Sequence, residues 1–341
     1  MRPRRYSVGG LARRHVVRLA LALASLTSTS LLGTREASAQ TGADGVFLLL
    51  PVGARAVGMG ETVVAQRGGS DELWWNPSAI VDTGEHEVAI HHSQTAPGQG
   101  NALAIVLPTR RAGVFGVSLN VLDLGSQAAT DENGFQLGVI SPTDFALGLT
   151  YAVSPIPLVA LGVTVKHVGA SIRCSGICTN LPDESSSSNG ADLGAQLRFT
   201  DVPITLGAAA RHLGIGGPGV RPARFDVGGD YRIEAIERRT SHVQVHAAIG
   251  VVTTTRLDSA TARVGTDVVV DKRLHVRAGF IRDVVNGSRA SIGVGLSSGK
   301  LVFDLATTFV LGAAGPSSSG GLTGSTDNGG SPAYFSLRYL W

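Results

Sequence analysis

The chain has 341 residues, with 29 Lys+Arg against 26 Asp+Glu, but seven of the cations and one of the acids fall in the first 39 residues. The remainder carries 22 cations against 25 acids, so binding to nucleic acid has no electrostatic footing. Beyond residue 39 no window offers the ~18 uninterrupted apolar residues of a spanning helix, and the abundance of glycine (45 residues) points instead to many short strands.

Residues 1–39 read as an export signal. Arg2, Arg4, Arg5, Arg13, Arg14 and Arg18 form a basic start, Leu19–Leu32 is apolar or small, and Ala37-Ser38-Ala39 is a cleavage site. Arg13-Arg14 lacks the surroundings of a twin-arginine signal. The stretch is too short, and too often interrupted by Ser and Thr, to remain as an anchor. Export implies an oxidising compartment. Cys174 and Cys178, in a polar segment, therefore read as a small disulfide, since a lone C-x3-C lacks the further ligands of a metal site.

Residues 40–84 do not alternate. Phe47–Pro51 is a short apolar run, followed by Gly53-Ala54-Arg55-Ala56-Val57-Gly58-Met59-Gly60 and later by Leu73-Trp74-Trp75-Asn76-Pro77-Ser78. A Gly-x-Gly outside a βαβ setting does not support phosphate binding. Glycines that let backbone pack closely inside a confined lumen fit better. Arg55 is the one charge in the apolar stretch, and its expected partner is a lumen carboxylate such as Asp192, Asp267 or Asp304. Trp74 and Trp75 either line a route for an apolar ligand or pack this segment against a wall.

From residue 85 to 341 the dominant signal has period two. Fourteen strands are expected at about 86–92, 102–108, 113–122, 142–152, 159–168, 191–199, 204–212, 224–233, 242–252, 260–270, 273–281, 289–297, 301–310 and 333–341. Lys166, Asp192, Arg198, Arg211, Asp226, Asp230, Arg263, Asp267, Arg277, Asp304 and Arg338 all fall on the polar parity. A soluble sandwich would expose these charges, whereas a membrane barrel turns them into its lumen. Many segments reach about 9–11 residues, which suits a tilted spanning strand rather than the soluble mode of about 5–6. Every second connection is short, while Leu122–Ser141, Gly169–Gly190, Leu213–Ala223 and Leu311–Pro332 are long and polar. Gly134–Ile140 also alternates, but is assigned to a loop because a separate strand there would make the count odd. The Ser-rich Glu184–Asn189 and the Gly-rich Gly315–Gly330 are expected to be solvated loops.

The expected fold is therefore all-β: a transmembrane antiparallel barrel of about fourteen strands, with residues 40–84 as a lumen hatch. Phe335, Leu337, Tyr339 and Trp341 alternate up to a terminal aromatic, as in the C-terminal signal read by the outer-membrane barrel assembly machinery. His86, His91 and His92 do not make a metal site, because His91 and His92 point to opposite faces. No nucleophile elbow or triad signature is present, and no cofactor is implied.

Two segments carry a resemblance: Pro51–Glu61 (PVGARAVGMGE) and Asp71–Ile80 (DELWWNPSAI), supported by the more generic Leu161–Gly169 (LGVTVKHVG) and the terminal YFSLRYLW. Together they resemble the PorV/PorQ-type barrels, relatives of the FadL-type transporters of hydrophobic compounds. The resemblance implies a fourteen-stranded barrel with an N-terminal hatch bearing an Asn-Pro-Ala motif. Here that motif is Asn76-Pro77-Ser78, and Glu61 stands where glycine is expected. Two functions follow as expectations: passage of small hydrophobic molecules across the outer membrane, or escort of secreted proteins in a type IX-like system. The partners implied are outer-membrane lipid with either a hydrophobic ligand or a secreted protein.

Overall fold

Alternating residues close here into a ring. A computed structural model describes residues 45–131, 133–176, 184–199, 201–216, 222–240, 242–254, 260–283, 287–311 and 331–341, all within the compact unit Thr41–Trp341. The export signal, Cys178 and the stretch Gly315–Gly330 lie outside the described residues.

The strands are β1 (Glu87–Thr95), β2 (Gly98–Thr109), β3 (Gly113–Asp123), β4 (Gln127–Thr130), β5 (Gln136–Ile156), β6 (Val159–Gly176), β7 (Glu184–Arg198) and β8 (Ile204–Leu213). They continue as β9 (Arg224–Arg232), β10 (Val243–Thr254), β11 (Ala260–Val270), β12 (Leu274–Asp283), β13 (Gly287–Ser298), β14 (Leu301–Leu311) and β15 (Ala333–Leu340). All neighbours pair antiparallel, β3 joins β5 directly, and β15 returns to β1, so fourteen strands close the barrel. β4 is the extra one, pairing only with the far end of β5.

The polarity is that of a membrane barrel. Val227, Ile249 and Leu149 are 60% or more exposed on the outer face, while Asp192, Asp304 and Arg277 are at most 2% exposed inside. A water-soluble sheet would reverse both. Short turns such as Thr109–Gly113 and Val270–Leu274 gather at one end, with the start of β1 and the terminus, where the Trp341 N–H donates to the His86 carbonyl at 3.0 Å. The short helix α2 (Glu234–Arg239) lies between β9 and β10 at this end. Phe335, Leu337, Tyr339 and Trp341 share the outer parity. Phe335 packs on Phe303 at 5.0 Å and Tyr339 stacks on Trp341 at 6.2 Å.

Two loop assignments are corrected. Gln136–Ile140, within the segment read as a loop, is the far end of the 21-residue β5. The long connection Gly169–Gly190 is mostly strand, for β6 runs on to Gly176 and Ser185–Ser188 pair with Val168–Ser171. A hairpin ladder satisfies its backbone equally well beyond the apolar belt, where neither face has to be greasy. Serine-rich composition therefore marked water, not irregular chain. Cys174, near the end of β6, is disulfide-bonded.

Residues 45–84 fill the lumen. They comprise the short helix α1 (Ala54–Gly58) and 3-10 turns at Val46–Leu49, Ser70–Leu73 and Pro77–Asp82. Backbone meets backbone at the wall: a Cβ on Gly279 would collide with Gly60, and one on Gly162 with Pro77 and Ser78. Only glycine leaves room for such contact.

Candidate functional site

The hatch enters near the long-connection end, where Gly45 lies against Ile215 and Pro222. It finishes at the short-turn end, where Asp82 pairs with Arg198 at 2.7 Å and with Arg67 at 2.9 Å. Between these points it is fastened to the wall by hydrogen bonds. The Ala54 and Gly60 N–H groups donate to Ser336 Oγ (2.8 Å) and Ser291 Oγ (3.0 Å). Gln66 Nε2 donates to Asp230 at 2.7 Å, and Gln196 Nε2 to the Gln66 carbonyl at 2.7 Å. Gly53 precedes α1 with φ 93°, and Gly58 brings α1 against Gly293 of β13.

The Asn-Pro-Ser motif is a capped turn. Asn76 accepts from the Ser78 N–H (3.1 Å) and Ser78 Oγ (2.7 Å), while its Nδ2 donates to the Val64 carbonyl at 2.6 Å. Pro77 occupies the first helical position, where a missing N–H costs nothing. Serine in place of alanine thus adds a donor to the cap. Glu61 stands in the left-handed region with φ 57°, which accounts for glycine being expected there. Its carboxylate reaches Arg263 at 2.8 Å and Arg289 at 3.9 Å.

The expected partner of Arg55 is corrected. Its guanidinium donates to Gln66 Oε1 (3.0 Å) and the Gly68 carbonyl (3.2 Å), and pairs at 3.8 Å with Glu72 of the hatch itself. The wall carboxylates are already engaged: Asp192 by Lys166 (2.5 Å), Asp267 by Arg277 (3.3 Å), and Asp304 by Arg277 (2.6 Å) and Arg338 (3.1 Å). These pairs make Lys166, Asp192, Asp267, Arg277 and Asp304 parts of the wall, and Arg198 a hatch anchor. Glu72 is fully buried in the hatch, outside the spanning strands, and its carboxylate oxygens accept no hydrogen bond among the described residues. Burial pushes its carboxyl well above the usual range, against the pull of Arg55 and with reinforcement from the neighbouring Asp71. The histidines separate: His91 faces the lumen, between Ser336 (2.7 Å) and Asp71 (3.5 Å), whereas His92 is exposed on the outer face.

Above the hatch, toward the long-connection end, lies a cavity of about 470 Å³. One side is apolar, built from Leu48, Leu49, Leu50 and Val52 of the hatch arm together with Trp74 and Trp75. Trp75 is held by its Nε1 donating to the Val52 carbonyl at 3.0 Å, and its ring lies 5.0 Å from the Arg211 guanidinium and 6.0 Å from that of Arg263. The rest of the lining is charged, with Lys166, Arg211, Arg224, Arg263 and Arg289 alongside Glu61 and Asp283.

A bulge shapes this wall. The β7–β8 register slips between Ala191 and Leu193, and His212 takes φ 59°. The extra residue turns both Arg211 and His212 inward, where strict alternation would expose one of them. Asp192 pins the bulge by accepting the His212 N–H at 2.8 Å. Sequence reasoning found Trp74, Trp75, Lys166 and Arg211, but missed His212, Arg224, Glu61 and Arg289 as cavity residues. The misfit of glutamate at a glycine position was the one legible signal for Glu61.

No protein-family profile and no curated protein matches the chain. Solved structures share its fold. The toluene transporter TodX of Pseudomonas putida is 14% identical, with 83% of this chain and 95% of that one covered at a TM-score of 0.55. The toluene transporter TbuX of Ralstonia pickettii is 13% identical, with 85% and 98% covered at 0.56. A FadL homologue of Pseudomonas aeruginosa is 15% identical, with 85% and 99% covered at 0.53. At such identities the likeness is one of fold.

Proposed function

We propose that this protein is an outer-membrane channel for small hydrophobic molecules, which lodge between the hatch and the wall on their way in. The observation that carries the reading is the cavity itself. In a lumen otherwise plugged by residues 45–84, a space of about 470 Å³ remains, and the hatch gives it an apolar side with two tryptophans. A general pore would leave a continuous aqueous path, whereas a pocket of this size suits a single small ligand. The fold shared with toluene transporters supports the same reading. The export signal and the terminal aromatic strand support insertion in the outer membrane with its long connections facing outward.

The test uses Ala146→Trp, which fills the cavity from β5, where Ala146 lines it. Cells expressing the wild-type chain should take up radiolabelled toluene or an aromatic acid several-fold faster than vector controls. The filled variant, still showing heat-dependent gel migration, should fall to the control rate. Equal uptake of both compounds in all three strains overturns the proposal. Recovery of a secreted protein bound to the barrel would then favour the escort function.

A further inference from the structure

The short turns form two unlike halves of one rim. From β11 round to β3 they are basic, with Lys272 and Arg273 between β11 and β12, Lys300 between β13 and β14, and Arg110 and Arg111 between β2 and β3, all exposed. Hydrogen bonds between neighbouring turns make this arc continuous. The Ser297 N–H donates to the Arg273 carbonyl at 2.7 Å, the Leu340 N–H to that of Lys300 at 2.8 Å, and the Trp341 N–H to that of His86 at 3.0 Å. The acids along the arc are Glu85, the carboxyl end at Trp341, and Asp271, which faces His242 at 2.6 Å. Among the described residues, Arg110, Arg111, Lys272, Arg273 and Lys300 enter no ion pair and no side-chain hydrogen bond.

The other half of the rim is apolar. The end of β5 and its turn expose Ile156 and Leu158, and the β7–β8 turn exposes Val202, with Asp201 the one charged residue of these two connections. Depth fixes what the basic half meets. Aromatic side chains on the outer parity mark the headgroup level of a barrel: here Phe115, 5.2 Å from Tyr151, and Tyr339, stacked on Trp341. Arg110 and Arg111 occupy the turn just before the strand of Phe115, and Lys300 adjoins Leu301, the partner of Tyr339. The cations therefore follow directly on the aromatic girdle, at the depth of lipid phosphates. A protein partner would need a patch standing clear of the bilayer.

We infer that the basic arc binds anionic phospholipid headgroups in the leaflet at the short-turn end, while the apolar turns opposite sink into the same leaflet. Phosphate oxygens accept from the guanidinium and ammonium donors that the protein leaves unmatched, and such charge-assisted bonds are stronger than neutral ones. A zwitterionic lipid offers the same phosphate but brings its own cation, so the net attraction belongs to the anionic lipid. None of these five cations lines the cavity, so the contact is independent of what the channel carries.

Trp341 is a built-in reporter, exposed at the arc beside Tyr339, whereas Trp74 and Trp75 lie inside the lumen. The purified barrel is reconstituted into phosphatidylcholine vesicles containing brominated phosphatidylglycerol or brominated phosphatidylcholine at equal mole fraction. Quenching of tryptophan fluorescence is then compared, with Trp341→Phe setting the background from the lumen. Phosphatidylglycerol should occupy the contact roughly fivefold more than brominated phosphatidylcholine does, and high salt should reduce the excess. Replacing all five cations by glutamine, with heat-dependent gel migration retained, should bring the two lipids to parity. Equal quenching of the wild-type protein by both lipids overturns the inference. An excess that survives both salt and the five substitutions overturns the assignment to these residues. The wild-type comparison needs no charge variant, so a misfolded substitution does not blunt the test.

Discussion

Glu61 meets Arg263 at 2.8 Å from a backbone held in the left-handed region, with φ 57°. A side chain with a Cβ pays about 1–2 kcal/mol for that conformation, and glycine does not. The strain persists because the carboxylate is the shared counterion of Arg263 and Arg289 at the cavity floor. Both Glu61→Ala and Glu61→Gly lose the carboxylate, but only glycine relieves the backbone. Glu61→Gly should therefore unfold at a higher urea concentration than Glu61→Ala, by about 1 kcal/mol. An alanine variant as stable as the glycine variant would show the backbone to be unstrained.

Alternation and the parity of charges made the barrel legible, because a lipid-facing strand can vary little on one face and a lumen-facing one tolerates charge. The residues that escaped are those where local conformation, not composition, decides direction. His212 lies on the outward parity of β8 until the bulge turns it inward, and no glycine marks the spot. Arg224 was read as the first residue of a strand, with no sign that the register sets it opposite Arg211. Arg55 found its partner in the hatch because a segment without a period gives no face from which to infer contacts.

The seating of the hatch depends on missing side chains. A Cβ at Gly279 would collide with the Gly60 backbone, whereas one at Gly84 meets nothing within 4 Å. Gly279→Ala should cost about 1–3 kcal/mol as overpacking against backbone that cannot swing away. Gly84→Ala should be near neutral. Limited proteolysis checks this, since cleavage within residues 45–84 should rise in the first variant only. An intact hatch in Gly279→Ala would mean that the wall yields.

The lipid-facing assignment has a direct test on adjacent residues of β5. Leu147 is 42% exposed on the outer face, while Gly148 lines the cavity. Leu147→Arg should cost about 2–4 kcal/mol in refolding titrations into phospholipid vesicles. Gly148→Arg should cost less, because the atoms nearest its Cβ belong to the Ser118 and Thr164 side chains rather than to backbone, and the cavity accepts the remainder. Reversed penalties would place the charged face of the strands outside.

Glu72 should give the barrel a stability that declines with rising pH. Its carboxyl is fully buried, and its pKa in the folded protein is raised by that burial and by Asp71, with Arg55 opposing. In the unfolded chain it titrates near the ordinary value of about 4.3. The folded state therefore holds the proton more tightly. The stabilisation from this group is fully present below the unfolded pKa and is lost as pH rises through the raised folded value. Glu72→Gln carries the neutral form permanently, so its urea midpoint should vary less over that interval and exceed wild type at the alkaline end. Arg55→Gln should act in the opposite sense, removing a cation 3.8 Å from the carboxylate and carrying the loss on to higher pH. Parallel pH profiles for wild type and Glu72→Gln would show that the buried carboxyl is ionised throughout and balanced by Arg55.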